Sequence, residues 1–114
     1  MGADLYIEDE QGNEIKYFRD SYNDSNVFWK FEGSYWEMDV IARGESEEGY
    51  DYEKAVSYIE EKLKNEEIFE KNISEYSKEE QEYFTKEAKQ LKEFIKTARA
   101  VLDGKMNGKI IFSM

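Results

Sequence analysis

The chain contains no cysteine and no histidine. Without cysteine there is no disulfide framework and no thiolate-bound metal. Without histidine, serine triads, Cys–His dyads and imidazole-ligated zinc sites are excluded. Proline is absent too, which carries no functional message. Basic residues are scarce: 16 Lys and Arg stand against 27 Asp and Glu, a net charge of -11. Such a chain has no sequence-independent grip on duplex DNA, which needs Lys and Arg clustered on phosphates. Direct nucleic-acid binding is therefore not expected. No run approaches the roughly 18 apolar residues of a membrane-spanning helix. The first residues have neither the basic nor the apolar region of a secretory signal. These absences lead us to expect a cytoplasmic protein without membrane contact.

What is present argues for a folded domain. The 114 residues suffice for one domain with one modest core, since a chain this short buries only about two-thirds of its unfolded surface. Aromatic residues make up 16% of it, as nine Tyr, seven Phe and two Trp. Acidic disordered chains lack aromatics, so these rings line a core or a binding face. The charge is uneven. Residues 1–50 carry 13 acids and 4 bases, residues 51–114 carry 14 and 12. A field concentrated in the first half steers the chain toward a basic partner and away from polyanions; its plainer role is a solvated surface.

The pattern of elements is readable along most of the chain. Ala3–Ile7 and Glu14–Phe18 are rich in strand formers and flank the turn signal Gln11-Gly12-Asn13, which predicts a hairpin. A single hairpin is unstable alone and must pack on something. Asp20–Asn26 reads as a polar loop ending in a helix cap at Asp24 or Ser25. Val27, Phe28, Phe31, Tyr35 and Met38 then recur at helical spacing, with a break near Gly33; a strand over Ser34–Ile41 competes with that helix. Arg43–Gly49 reads as a loop. Asp51 caps a helix whose face is Tyr52, Ala55, Val56, Ile59 and Leu63. Residues 65–76 are ambiguous. Ser77 and Glu80 form a capping box that opens the clearest helix. Its stripe is Phe84, Ala88, Leu91, Phe94, Ile95, Ala98, Val101 and Leu102, and Gly104 is placed to end it. Lys109–Phe112 reads as a strand able to join the hairpin. The fold class expected is α+β, a helix-dominated single domain with a two- or three-stranded antiparallel sheet.

Three constellations carry possible chemistry. The densest runs from Tyr17 to Asn26. There Arg19 can fork onto a carboxylate or phosphate, Tyr17 and Tyr22 can stack on a planar ligand, and Asn23 can read its edge. The alternative has Arg19 paired locally while Asp20 and Asn23 organise the loop. Asp20, Asn23 and Asp24 are oxygen donors, but the spacing of a calcium loop is not met, and no metal site or cofactor is expected. Carboxylate pairs can act as acid and base, yet acids are so frequent that no pair stands out, and no glycine-rich phosphate loop exists. We therefore expect no enzymatic activity. Trp29, Tyr35 and Trp36 form the second constellation, either core or the flanks of a groove. In the third, Lys86, Lys89, Lys92, Lys96 and Arg99 alternate with Glu82, Glu87 and Glu93, as expected of a solvated helix face rather than a nucleic-acid stripe.

Met1-Gly2-Ala3-Asp4-Leu5-Tyr6-Ile7, then Tyr17-Phe18-Arg19-Asp20-Ser21-Tyr22-Asn23, then Trp29-Lys30 and Ser34-Tyr35-Trp36, resemble a family of small uncharacterised bacterial and phage proteins. Its members open with GADLYI and carry YFRDSYN before a tryptophan-containing segment. The resemblance covers roughly residues 1–64, and this chain departs from it in a short link between the first strand and YFRDSYN. It implies no activity, but it implies a phage or mobile-element context, hence the host cytoplasm.

Two functions follow as expectations. In the first, the protein is a non-enzymatic counter-defence inhibitor, anti-CRISPR-like, whose acidic surface binds the basic site of a host nucleic-acid-handling immune protein. In the second, it is a sponge that sequesters an immune signalling nucleotide around YFRDSYN. The residues expected to bind the partner or ligand are Tyr17, Arg19, Asp20, Tyr22, Asn23, Asp24, Trp29 and Trp36.

Overall fold

The computed structural model describes residues 2–21, 27–32 and 51–113. Strand β1 (Gly2–Glu8) and strand β2 (Glu14–Ser21) form the expected antiparallel hairpin. Asp9 builds its turn. Its Oδ1 accepts from the backbone N–H groups of Gln11 (2.9 Å) and Asn13 (2.8 Å), and its Oδ2 from the Asn13 side chain. Gly12 takes φ +83 there, a left-handed conformation that glycine adopts at no steric cost. The register slips by one residue between Ile7 and Glu8, a bulge next to the turn.

Strand β2 is longer than the sequence pattern suggests. The segment Arg19-Asp20-Ser21, read above partly as loop, continues the ladder opposite Asp4, Ala3 and Gly2. Backbone pairing with β1 is available to these residues, and it overrides the turn preference of Asp and Ser. Strand β3 (Lys109–Ser113) pairs antiparallel with the other edge of β1, so the sheet order is β2-β1-β3 with β1 central.

Helix α1 (Phe28–Glu32) is the described part of the aromatic segment. Helix α2 (Tyr52–Lys62) starts at Asp51, whose carboxylate accepts from the Lys54 N–H at 3.0 Å. The ambiguous stretch resolves as helix α3 (Glu66–Ile73). Only Phe69 and Ile73 of α3 are buried, and eight residues give too few turns for periodicity to stand out. Helix α4 (Lys78–Leu102) begins at the expected cap. The Ser77 hydroxyl accepts from the Glu80 N–H and donates to the Glu80 carboxylate. At its far end Gly104 sits at φ +74, with Gly104 N–H on Val101 O and Lys105 N–H on Ala100 O. That pair of bonds is a Schellman ending.

One core joins these elements. The sheet's inner face contributes Leu5, Ile7, Phe18, Ile110 and Phe112, all buried. Onto it packs the α4 stripe of Phe84, Ala88, Leu91, Phe94, Ile95 and Ala98. Phe18 is the junction, with ring centroids 5.8 Å from Phe28 and 6.5 Å from Phe94. Helix α2 adds Ala55, Val56 and Ile59, with Leu63 at its C-cap, and Tyr52 meets Phe112 edge-on at 4.9 Å. Phe31 of α1 stacks on Phe69 of α3 at 4.5 Å. The fold is α+β, dominated by helix, with a three-stranded antiparallel sheet. Among the described residues no helix is long and apolar enough to cross a membrane.

Candidate functional site

Strand alternation decides which residues meet on the sheet's outer face. With Leu5, Ile7 and Phe18 buried, their neighbours Asp4, Tyr6, Tyr17 and Arg19 point the other way. Cross-strand register sets Tyr6 opposite Tyr17 and Asp4 opposite Arg19, and Ile111 of β3 lies on the other side of Tyr6. The Tyr6 and Tyr17 rings lie 5.2 Å apart at 49°. Tyr17 is 44% exposed. Its hydroxyl donates to Asp4 Oδ1. This bond to a carboxylate favours the neutral phenol, and burial adds to it, so the hydroxyl is pushed up to about 12. At neutral pH Tyr17 is therefore a hydrogen-bonded contact group and not a base. Arg19 is exposed beside the pair and forms no ion pair among the described residues. Asp4 has Arg19 across the ladder, yet its carboxylate accepts from the Tyr17 hydroxyl.

Of the residues expected to bind, Tyr17 and Arg19 thus share one solvent-facing surface. They do so on a strand, not on a loop. Asp20 belongs to the same strand, paired with Ala3. Trp29 sits on α1, a helix that packs against α3, and is half-buried. Tyr22, Asn23, Asp24 and Trp36 lie outside the described residues, as do the proposed cap at Asp24 or Ser25, the helix-or-strand choice over Ser34–Ile41, and the Arg43–Gly49 loop. The sequence reading missed Asp4, Tyr6 and Ile111 as members of this face. The alternation of β1 was the available signal, but it needed the register of three strands to become a site.

A second cluster had no sequence signal. Lys30 of α1 is only 5% exposed. Its Nζ donates to the Tyr76 hydroxyl at 2.6 Å and lies 4.5 and 4.7 Å from the centroids of Tyr76 and Phe84. Asn72 of α3 donates to the Lys30 carbonyl at 2.8 Å. An ammonium over two ring faces is held by their quadrupoles. The cluster ties α1 to the α3–α4 corner and has the geometry of a staple.

The lysine-rich face of α4 also needs correction. Arg99 is not merely solvated. Its guanidinium donates to both Glu53 oxygens at 2.9 and 2.8 Å, to both Glu60 oxygens at 3.2 and 2.7 Å, and to the Ser57 hydroxyl. These acids raise its already high pKa further, and Glu53 is held below the usual carboxylate range in return. Lys92 pairs with Glu66 and lowers that acid likewise. Both basic residues therefore bolt α4 to α2 and α3.

Among the described residues no group of His, Cys, Asp or Glu is arranged to hold a metal ion. Comparison with family models, with curated proteins and with solved structures finds no match to the chain.

Proposed function

We propose that this protein is a non-enzymatic binding protein of the phage counter-defence kind, and that its acidic first half docks on the basic, nucleic-acid-handling site of a host immune protein. The observation that carries the reading is the hairpin. It holds Asp4, Glu8, Asp9, Glu10, Glu14 and Asp20 against only Lys16 and Arg19. Glu8, Asp9, Glu10 and Glu14 cluster at its turn, where the backbone bonds from Asn13 and Gln11 hold Asp9 below the usual carboxylate range. These bonds also fix the turn, so little ordering entropy remains to be lost on docking. On the outer face Tyr6 and Tyr17 add aromatic contact area of the kind enriched at protein interfaces, with Ile111 beside them. The resemblance of GADLYI and YFRDSYN to small bacterial and phage proteins supports the setting.

The test is capture of partners from host lysate on the intact protein, with mass spectrometry of small molecules released on denaturation. A basic protein that binds less well as salt rises, and associates more slowly with a Glu8→Lys, Asp9→Lys, Glu10→Lys variant, is the expected result. Affinity indifferent to salt overturns charge mimicry. A nucleotide released on denaturation replaces this reading with that of a sponge.

A further inference from the structure

We infer that the groove between α3 and the N-terminal half of α4 docks an acidic, amphipathic peptide segment of a partner protein, a contact opposite in charge to that of the hairpin. The groove measures about 560 Å³, and Ile73 lies in it beside Lys78, Lys86 and Lys89. It continues along the helices past Phe69 and Ala88, sharing Ile73, Thr85 and Lys89 between its two stretches.

Its polar groups divide into committed and uncommitted. The Thr85 hydroxyl donates to the Gln81 carbonyl, and the Gln81 amide donates to the Tyr76 carbonyl. Lys92, farther along, is taken by Glu66. Lys78, Lys86 and Lys89 are exposed and form no ion pair among the described residues. In their stretch of groove they meet Glu82, and the adjoining stretch, which Lys89 also lines, holds Glu66 and Glu70. A chain with a net charge of -11 thus gathers three unpaired ammonium groups around a floor in which Ile73 is only 7% exposed. Their aliphatic stems extend that floor while the charged heads reach solvent.

Charge complementarity names the occupant. From Lys78 to Lys89 the helix rises about 16 Å, at 1.5 Å per residue, which is about three turns of a docked helix. A segment with carboxylates flanking an apolar stripe satisfies the ammonium groups and packs on their aliphatic stems together. Nucleic acid fits less well. The groove offers no exposed aromatic ring for stacking.

The experiment measures fluorescence anisotropy of a labelled helical peptide built from Leu and Glu at helical spacing, with its Lys-for-Glu twin as comparison. The Glu peptide should bind the intact protein and the Lys twin should not. Lys86→Glu with Lys89→Glu should weaken binding about tenfold or more, while Lys96→Glu, on the same helix but outside the groove, leaves it unchanged. These side chains are exposed, and circular dichroism on each variant verifies folding; Lys86→Ala with Lys89→Ala repeats the test without added repulsion. Absence of peptide binding, or binding that both double variants retain, overturns the inference. So does tighter binding of single-stranded RNA through the same lysines, or self-association in sedimentation that the double variants abolish, which would make the occupant a second copy.

Discussion

Lysine alternates with glutamate along the whole of α4, yet its two halves use the pattern differently. Toward the C-terminus, Arg99 engages Glu53 and Glu60 of α2, and Lys92 engages Glu66 of α3. Toward the N-terminus, Lys78, Lys86 and Lys89 border the groove and stay unpaired among the described residues. The apolar stripe beneath runs through both halves without a break. An alternating charge pattern therefore specifies an outward-facing helix surface and nothing more. Whether a cation becomes a bolt or a contact depends on the element standing next to it.

The stripe shared by the two halves gives the largest expected effect. Phe94 is 1% exposed and touches Phe18 across the sheet–helix junction. Phe94→Ala should cost about 3–5 kcal/mol in a denaturant titration. A loss under about 1 kcal/mol would mean that α4 does not seat on the sheet, and the contrast between its halves would lose its frame.

Arg99→Gln comes next and tests the bolt directly. It keeps an unbranched polar side chain, though a shorter one, and removes the charge and the fork from Glu53 and Glu60. We expect Tm to fall by about 2–6 °C, as for a partly exposed ion network, whereas Lys86→Gln leaves it nearly unchanged. The effect carries a pH signature. Glu53 is depressed below its ordinary value of 4.5, chiefly by the hydrogen bond from Arg99. Its contribution is therefore complete above that value and lost as pH falls through the lower, folded one. The Tm gap between wild type and Arg99→Gln should be full at neutral pH and close below about pH 4.5. A gap that persists in acid, or an equal fall for Lys86→Gln, dissolves the distinction.

The smallest effect belongs to the outer sheet face, whose residues, like Lys86, are proposed as contacts rather than supports. Tyr17→Phe removes the bond to Asp4 at a half-exposed position and should cost no more than about 0.5 kcal/mol. Because the phenol is raised from 10 to about 12, that small contribution is complete below pH 10 and disappears as pH rises through the folded value. The gap should accordingly be flat between pH 6 and pH 9 in paired thermal melts. A cost above about 1.5 kcal/mol would make Tyr17 scaffold and weaken its place in the proposed interface.

Much of the architecture was legible because local chemistry and tertiary context agree. Ser77 and Glu80 mark the start of α4 and Gly104 its end, and both signals act through backbone groups within a few residues. The buried face of α2 and the stripe of α4 follow from helical spacing alone. The hairpin follows from two β-rich runs around Asp9–Asn13. Less legible were α3, too short for its period, and Arg19-Asp20-Ser21, whose polar side chains favour a turn in isolation.

By itself, then, the sequence determined the excluded chemistries, the α+β class, the ends of α4 and the acidic bias of the first half. Each is a property of composition or of contacts within a few residues. Only the tertiary structure decided that Tyr6 faces Tyr17, that Lys30 is buried against Tyr76 and Phe84, and that Arg99 is tied to α2 while Lys86 is not. These relations join residues 11 to 54 positions apart in the chain. Such distances are closed by strand register and helix packing, and a solvated lysine and a buried one are written with the same letter.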